Sequence, residues 1–146
     1  MFRRVPSSEI VAAARVYERV PFRHQGRSKS GIDCLGLLAV TFRDRGMTVR
    51  DRTDYGRHPN LGELRAGLDE RLIRVPRSTG FRAGLVALFR DPLWLHVGLL
   101  TGPKSFIHSR GPEDFGPGVV EHILDAQSWA PRLLRLWRHP EMEWDL

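Results

Sequence analysis

The spacing of the apolar residues changes at Pro76, and this change constrains the fold more than any other feature of the sequence. Before Pro76, apolar residues recur at the three- and four-residue intervals of amphipathic helices. After it come short β-rich runs that are separated by turns containing glycine or proline. These runs are GLVALFR, LWLHVGLLT, KSFIHSR and GVVEHIL. Helices followed by an antiparallel meander predict an α+β fold.

The size and composition of the chain are typical of one soluble globular domain, which we expect to span residues 1–146. The single cysteine excludes an internal disulfide, and no apolar stretch approaches the roughly 20 residues that a membrane span needs. The N-terminal segment has no apolar core of the signal-peptide kind, because Glu9 and Arg15 interrupt it. We therefore expect synthesis in a cytoplasm without a secretion signal, and no membrane insertion.

The formal net charge of +6 favours contact with polyanions. Most of the basic residues are arginines scattered along the chain, often beside an acid, as in FRDRGMTVRDRTD. The sequence has no basic stripe interleaved with aromatic residues, so it predicts no specific nucleic-acid binding. Anionic envelope polymers and an acidic protein partner fit the charge equally well.

The first predicted helix lies near the N-terminus. Ser7 and Ser8 are suited to cap a helix that begins at Glu9 and is ended by Pro21. Residues 21–33 follow as a polar loop.

The second predicted helix runs from about Cys34 to Arg45. Asp33 is suited to be its N-cap, and Gly46 follows its C-terminus. Its apolar residues cover most of its circumference, so we expect it to be central and buried.

The remaining segments include one clear helix and one ambiguous element. Residues 47–59 are expected to be a loop, after which Asn60 caps a third helix, LGELRAGLDERL. The segment SWAPRLLRLWRHP fits either a helix or one more strand.

Cys34 is placed by its cap in the first turn of the second helix. There the unpaired amides and the helix dipole favour a thiolate and lower the pKa of a thiol. Gly36 is expected to leave one side of this helix start open. A lone cysteine flanked by apolar residues is, however, usually a core residue, so the helix start alone leaves both interpretations open.

Two histidines flank the predicted hairpin LHVGLLTGPKSFIHSR. With a turn at Gly102 and Pro103, His96 and His108 come back roughly opposite each other at the same end of the sheet. A thiol nucleophile needs an imidazole base, and that base needs a partner on its other nitrogen. Cys34, His96 and His108 supply these three groups, which favours catalysis by a cysteine.

The segments FRHQGRSKSGIDCLGLL and HVGLLTGPKSFIHSR resemble the two signature segments of the NlpC-type, papain-like cell-wall endopeptidases. That family has a hydrophobe-Asp-Cys-small-Gly helix start, then His-hydrophobe-Gly-hydrophobe, and later a polar residue that is often histidine. More narrowly, PFRHQG, DCLGL and VVEHILDAQSWAPRLLRLWRHP resemble tail-assembly members from tailed phages and phage-derived gene transfer particles. The resemblance runs from Ser8 to Pro140.

This resemblance implies that Cys34 is the nucleophile, His96 the base and His108 the third member of the site. It implies a papain-like α+β core in which residues 118–122 and 132–138 are strands and the cysteine helix packs on an antiparallel sheet. The implied substrate is a peptidoglycan stem peptide, commonly cut between D-Glu and a diamino acid such as meso-diaminopimelate. No metal or organic cofactor is implied.

Three positions depart from the family pattern. Phe22 stands where many members have a tyrosine thought to help bind the oxyanion, and His24 is a candidate to replace it. Gly84 and Leu85 replace a Gly-Asp pair, which removes an acid that would anchor a loop. Leu35 replaces the usual serine after the cysteine, and its bulk is expected to reshape the pocket.

The candidates for substrate binding are Phe22, Arg23, His24 and Asp33. A solvated loop explains Arg23 and His24 equally well, and a helix cap is the main role expected of Asp33. A zinc site is disfavoured, because one cysteine and dispersed histidines lack close ligand spacing. The other histidines are expected on the surface or in the packing: His58, His122 and His139.

Together these expectations describe a cysteine endopeptidase of the cell wall, carried at the tail tip of a phage or phage-like particle beside other tail-tip or hub proteins. A cytoplasmic enzyme that recycles wall peptides fits the absent signal peptide as well. A structural tail-tip component with weak or no activity is the alternative that Phe22 favours. An acyltransferase or amidase on the same scaffold is a third possibility.

Overall fold

The computed structural model describes residues 4–91, 94–113 and 115–145 and has the predicted α+β architecture. In these residues the α-helices are α1 (Ser7–Arg15), α2 (Cys34–Asp44) and α3 (Leu61–Arg71). The strands are β1 (Val5–Pro6), β2 (Arg27–Ser28), β3 (Gly31–Ile32), β4 (Ile73–Val75), β5 (Val86–Asp91), β6 (Trp94–Gly102), β7 (Ser105–Arg110), β8 (Gly118–Ile123), β9 (Leu133–Arg138) and β10 (Met142–Glu143). None of the helices described is both long and apolar enough to cross a bilayer.

The main sheet has six strands in the order β4-β9-β5-β6-β7-β8, and every neighbouring pair is antiparallel. The meander expected after Pro76 is confirmed as β5 to β8. The strands expected over 118–122 and 132–138 are confirmed as β8 and β9, which decides the ambiguous C-terminal segment. Pro92 and Leu93, part of the predicted turn and run before His96, lie outside the described residues.

Alternate residues of each strand point to opposite sides of this sheet, and apolar residues pack on both sides. On one face, Val86, Leu88 and Leu99 join the main core with the apolar residues of all three helices. On the other face, a second core contains Leu85, Leu100, Phe106, Trp129 and Leu133. The sheet therefore separates two apolar layers, with α2 packed on the first.

The start and end of α1 differ from the prediction. The helix begins at Ser7, directly after Pro6, and neither serine caps it. Instead the hydroxyls of Ser7 and Ser8 donate to the side chain of Asp145. The helix ends at Arg15 rather than at the predicted proline, and a turn follows it.

The other two helices start as predicted. Asp33 caps α2 by accepting the N–H of Gly36, and Asn60 caps α3 by accepting the N–H of Glu63. At the end of α2, Gly46 has a φ of +71°, a conformation that suits glycine beyond a helix C-terminus.

Several short strands were not predicted. The pair β2–β3 lies within residues 21–33, which were expected to be loop only. Strand β4 pairs with β9 at the edge of the sheet, and β1 pairs in parallel with β10. Each has only two or three residues, too few to show a period of two in the sequence.

Candidate active site

Asp33 joins the start of α2 to the loops around it. It is 3% exposed, and its carboxylate accepts the N–H of Gly36 at 2.7 Å. It also accepts the N–H of Gln25 (2.7 Å), Nη1 of Arg27 (3.0 Å) and the hydroxyl of Tyr55 (2.5 Å). Four donors match the acceptor sites of a carboxylate, which favours the capping role. Contact between Asp33 and a substrate amine stays a prediction.

Gly36 does not leave the helix start open, so that expectation is wrong. A Cβ at this position would lie 2.2 Å from the carbonyl oxygen of Gly26 and 2.8 Å from Nη1 of Arg27. The glycine is therefore needed because the backbone of the preceding loop packs directly on α2, two residues after Cys34.

The side chain of Cys34 is partly buried at the first turn of α2, against the main core. Burial, and after it the negative charge of Asp33, raise the pKa of the thiol from 9.0 to about 12. The backbone N–H groups of Val97, Leu35 and Cys34 itself act in the opposite direction, because a donor near sulfur stabilises a thiolate. The expected lowering of this pKa is therefore wrong: the helix dipole is outweighed by desolvation.

The start of α2 packs on strand β6, and both contribute to the main core. The backbone of Val97, which follows His96 directly on that strand, is one of the groups that lower the pKa of the Cys34 thiol. Cys34 and His96 are far apart in the sequence. The packing of α2 on β6 brings the start of the helix and the strand that carries His96 together.

His96 and His108 lie side by side on β6 and β7, as predicted. Nε2 of His96 is hydrogen-bonded to Nδ1 of His108, and the ring centroids are 4.6 Å apart. Both side chains are buried. Gly98 makes this contact possible, since a Cβ there would lie 3.3 Å from Cβ of His108 and 3.1 Å from the carbonyl oxygen of Ile107.

The second ring nitrogen of His108, Nε2, lies 2.9 Å from Nδ1 of His122. Burial, and then the charges of His96, His122 and Arg110, lower the pKa of His108. The ring of His108 is therefore neutral at neutral pH.

Phe22 and Arg23 lie on the loop before the cysteine. Phe22 forms an isolated bridge with Ile32, and its ring packs against Gly111, where a Cβ would lie 3.1 Å from Cδ1. Arg23 is exposed, and its backbone N–H donates to the carbonyl oxygen of Ile32 at 3.2 Å. Their contact with substrate stays a prediction.

His24 connects this loop to two others. Its backbone N–H donates to Oε1 of Glu113 at 2.8 Å, and its ring meets that of Tyr55 edge-on, with centroids 5.7 Å apart. Its contacts hold three loops together next to the helix start, and its expected roles at the oxyanion or the substrate remain predictions.

The sequence did not predict that Arg27 and Tyr55 support the start of α2. Nη2 of Arg27 donates to the hydroxyl of Tyr55 at 2.9 Å, and its guanidinium is also bonded to both carboxylate oxygens of Asp51. Arg27 and Tyr55 thereby fasten the 47–59 loop to Asp33. The sequence carries no local signal for this network, because its members are up to 28 positions apart.

A cavity of about 570 Å³ opens between α2, α3 and the 47–59 loop. Leu35 lines this cavity, whereas Cys34, His96 and His108 do not, so the expected effect of Leu35 on the pocket at the cysteine stays a prediction. The second departure has a packing explanation: Leu85 is fully buried in the second core. In the part of the chain that the structure describes, no group of three His, Cys, Asp or Glu side chains is arranged to hold a metal ion.

Comparisons with known proteins identify relatives of this chain. Residues 19–138 match the model of the NlpC/P60 family. The chain is 26% identical over 116 residues to the murein DD-endopeptidase MepS/murein LD-carboxypeptidase of Escherichia coli strain K12. The alignment covers 80% of this chain and 54% of that relative, so the chain spans about half the length of the curated relative.

Solved structures share the fold. The NlpC/p60 domain of the peptidoglycan hydrolase SagA has a TM-score of 0.65 at 21% identity, covering 91% of this chain and 98% of that one. An NlpC/P60 family protein from Bacillus cereus ATCC 10987 has a TM-score of 0.69 at 17% identity, covering 94% and 41%. These neighbours confirm the predicted papain-like NlpC-type fold.

Proposed function

The chain belongs to the NlpC/P60 family, and from this premise we propose that it is a cysteine peptidase that hydrolyses the stem peptides of peptidoglycan. The observation that carries the proposal is the meeting of α2 with β6. Helix α2, which begins at Cys34, packs on β6 in the main core, and His96 on that strand is bonded to His108. Two relatives support the substrate class, since one is named a murein DD-endopeptidase and the other a peptidoglycan hydrolase.

The first chemical step follows from the bond between His96 and His108. Because Nε2 of His96 is bonded to His108, Nδ1 is the nitrogen that takes the thiol proton. The thiol pKa of about 12 means that this proton moves as the sulfur of Cys34 attacks the scissile carbonyl carbon. The backbone N–H groups of Cys34 and Leu35 lie at the start of α2 and lower the pKa of the thiol, and we propose them as the donors to the resulting oxyanion.

The second step releases the two products. The His96 imidazolium gives its proton to the leaving amine, and an acyl thioester remains on Cys34. A water molecule then loses a proton to His96 and attacks the thioester carbonyl, which frees the carboxylic acid and restores the thiol. His108 stays neutral throughout and orients the His96 ring.

The bond that we propose is cleaved is the one between D-Glu and meso-diaminopimelate. Its support is the resemblance of the two signature segments to the cell-wall endopeptidases. The E. coli relative is named for a DD-endopeptidase activity, so the masses of the products distinguish the two bonds.

We also propose that the protein acts at the bacterial cell wall from the tail tip of a phage or phage-like particle. The support is the resemblance of PFRHQG, DCLGL and the segment 119–140 to tail-assembly proteins, together with a net charge of +6 that suits anionic envelope polymers. Detection of the chain in purified particles, beside tail-tip proteins, tests this location.

Incubation of the purified, thiol-reduced chain with mixed muropeptides, followed by mass spectrometry, tests the activity. We expect cleavage by the wild type and a loss of about a thousandfold or more in Cys34→Ala, because the nucleophile is removed. His96→Ala should behave similarly, and His58→Ala, which removes an exposed loop histidine, should retain the wild-type rate.

No cleavage by the folded, reduced wild type would contradict the peptidase and favour a structural tail-tip component. Phe22 is the residue that supports this second function, because it lacks the hydroxyl of the tyrosine that it replaces. Transfer of the acyl group to an added amine in place of hydrolysis would instead indicate an acyltransferase.

A further inference from the structure

Three histidine rings form a row across neighbouring strands of the sheet. His96 lies on β6, His108 on β7 and His122 on β8. Nε2 of His96 is bonded to Nδ1 of His108, and Nε2 of His108 lies 2.9 Å from Nδ1 of His122. His122 was expected to have only a surface or packing role, but its Nδ1 continues this histidine row beyond the site.

The outer part of the histidine row is surrounded by aromatic rings. Phe106 and Trp129 lie 4.6 Å and 5.3 Å from the ring of His108, and Trp129 stacks on His122 at an angle of 20°. His108 is fully buried and His122 is partly buried. Burial, with the charge of Arg110, lowers the pKa of both rings. Both are therefore neutral at neutral pH.

A neutral imidazole carries one N–H, so it donates through one nitrogen and accepts through the other. Both nitrogens of His108 are bonded, and the directions of the two bonds are therefore coupled. If His108 donates to His122, it must accept from His96. If it accepts from His122, it must donate to His96.

The two hydrogen bonds of His108 can thus run in either of two orders of donor and acceptor. Only one of these orders allows His96 to act as a general base. When His96 donates its Nε2–H to His108, Nδ1 of His96 keeps a lone pair for the thiol proton. The order also survives when His96 becomes an imidazolium, because Nε2 still donates. In the reverse order, neutral His96 carries its proton on Nδ1 and cannot accept another there.

We propose that His122 is a positioning residue of the site: its Nδ1 accepts the Nε2–H of His108 and thereby selects the tautomer of His96 that is basic at Nδ1. This inference deepens the proposed function and rests on it. Without an acceptor at position 122, the buried Nε2–H of His108 loses its partner. Because an unsatisfied buried donor is costly, the reverse order then becomes populated.

The wild-type protein itself provides the first test. In protein labelled with ¹⁵N at histidine, the imidazole nitrogen shifts report which nitrogen of each ring carries the proton. We expect protonation at Nε2 in both His96 and His108 at neutral pH. A proton on Nδ1 of His108 would overturn the proposal, whatever the activity of the protein.

The second test compares two variants of His122. His122→Phe keeps a ring to stack on Trp129 but has no nitrogen, whereas His122→Asn offers a side-chain oxygen as an acceptor near the position of Nδ1. We expect kcat to fall about tenfold to a hundredfold in His122→Phe, because the buried donor of His108 is unsatisfied, and to recover substantially in His122→Asn. KM should not change, because His122 orients His108 and does not contact substrate.

The matched control is His58→Phe, the same substitution at an exposed histidine of the 47–59 loop, which should leave kcat and the proton positions unchanged. Wild-type kcat in His122→Phe with unchanged proton positions would overturn the proposal, and so would a loss that His122→Asn does not relieve. If His122→Phe does not fold, the proton positions of the wild type decide alone.

These measurements separate the inference from the function on which it rests. A folded wild type that cleaves no muropeptide, yet holds the proton of His108 on Nε2, would contradict the proposed function. It would leave the proposed directions of the histidine hydrogen bonds in place. Cleavage that is insensitive to position 122 would contradict the inference and leave the proposed function standing.

Discussion

At the scale of single residues, the environment of Cys34 decides how its sulfur reacts. Its position in the first turn of α2 favours a thiolate, but burial and the adjacent charge of Asp33 disfavour one more strongly. The pKa of the thiol is therefore raised to about 12. A partly buried thiol with a raised pKa reacts at neutral pH only when a base takes its proton, which is the task we assign to His96.

The alkylation of Cys34 by iodoacetamide tests this account. In His96→Ala we expect slow alkylation at neutral pH and a rate that still rises at about pH 10, because the thiolate fraction grows about tenfold per pH unit below a raised pKa. The wild type should react faster near neutrality. Cys34 is the only cysteine, so the measured rate belongs to one sulfur.

His58→Ala is the control, since it also removes one histidine but leaves the site intact. A plateau below about pH 9 in His96→Ala would show that the helix start outweighs burial, and it would contradict the raised pKa.

At the scale of secondary structure elements, the β6–β7 hairpin holds the site together. The sequence predicted this hairpin, because the runs LWLHVGLLT and KSFIHSR have strand composition and a Gly-Pro turn lies between them. The role of Gly98 could not be predicted from the sequence. It depends on the distance between β6 and β7 at one position, where the backbone of Ile107 and the Cβ of His108 approach closely.

Substitution of Gly98 by alanine tests the importance of this close approach. A new Cβ would lie 3.1 Å from a backbone oxygen that cannot turn aside, so the hairpin must shift. In Gly98→Ala we expect unfolding to become easier by about 1–3 kcal/mol and kcat to fall, because the bond between His96 and His108 is disturbed. Denaturant titration and muropeptide kinetics measure the two effects.

Gly102→Ala is the matched control on the same strand. A Cβ at Gly102 would lie 3.5 Å from Oγ of Ser105, which is an ordinary contact. If both variants were equally stable and equally active, close packing at Gly98 would not support the histidine pair.

At the scale of the whole molecule, the two ends of the chain are joined. Strand β1 pairs with β10, and the first turn of α1 is bonded to Asp145, 137 positions from Ser8. The carboxylate of Asp145 accepts the N–H of Ser8 at 3.0 Å and the hydroxyl of Ser7 at 2.8 Å. A negative group at this end of α1 also suits the helix dipole.

Removal of this carboxylate should loosen the junction. We expect Asp145→Ala to lower the Tm, because the N-terminal donors of α1 lose their acceptor. The same bonds lower the pKa of Asp145, so this contribution to stability is present above the ordinary carboxyl pKa, 3.8, and is lost as pH falls below it. The difference in Tm between variant and wild type should therefore shrink at acidic pH.

Glu143→Ala provides the control, because Glu143 is an exposed acid of the same C-terminal segment. An equal Tm for Asp145→Ala and the wild type at neutral pH would contradict a cap supplied by the C-terminal segment.

Features that arise between near neighbours along the chain could be predicted from the sequence. Asp33 and Asn60 were recognisable as caps because their partners are three positions away. The meander and the contact between His96 and His108 followed from strand periodicity and one short turn.

Features that depend on contacts between segments distant in sequence could not be predicted in this way. The cap of α1 by Asp145, the link from Tyr55 to Asp33, and the extension of the histidine row to His122 arise when separate segments meet. The raised thiol pKa of Cys34 has the same origin, because burial is a property of the packed chain. Local propensity acts between neighbours, whereas desolvation and long-range hydrogen bonds exist only after the chain has closed on itself.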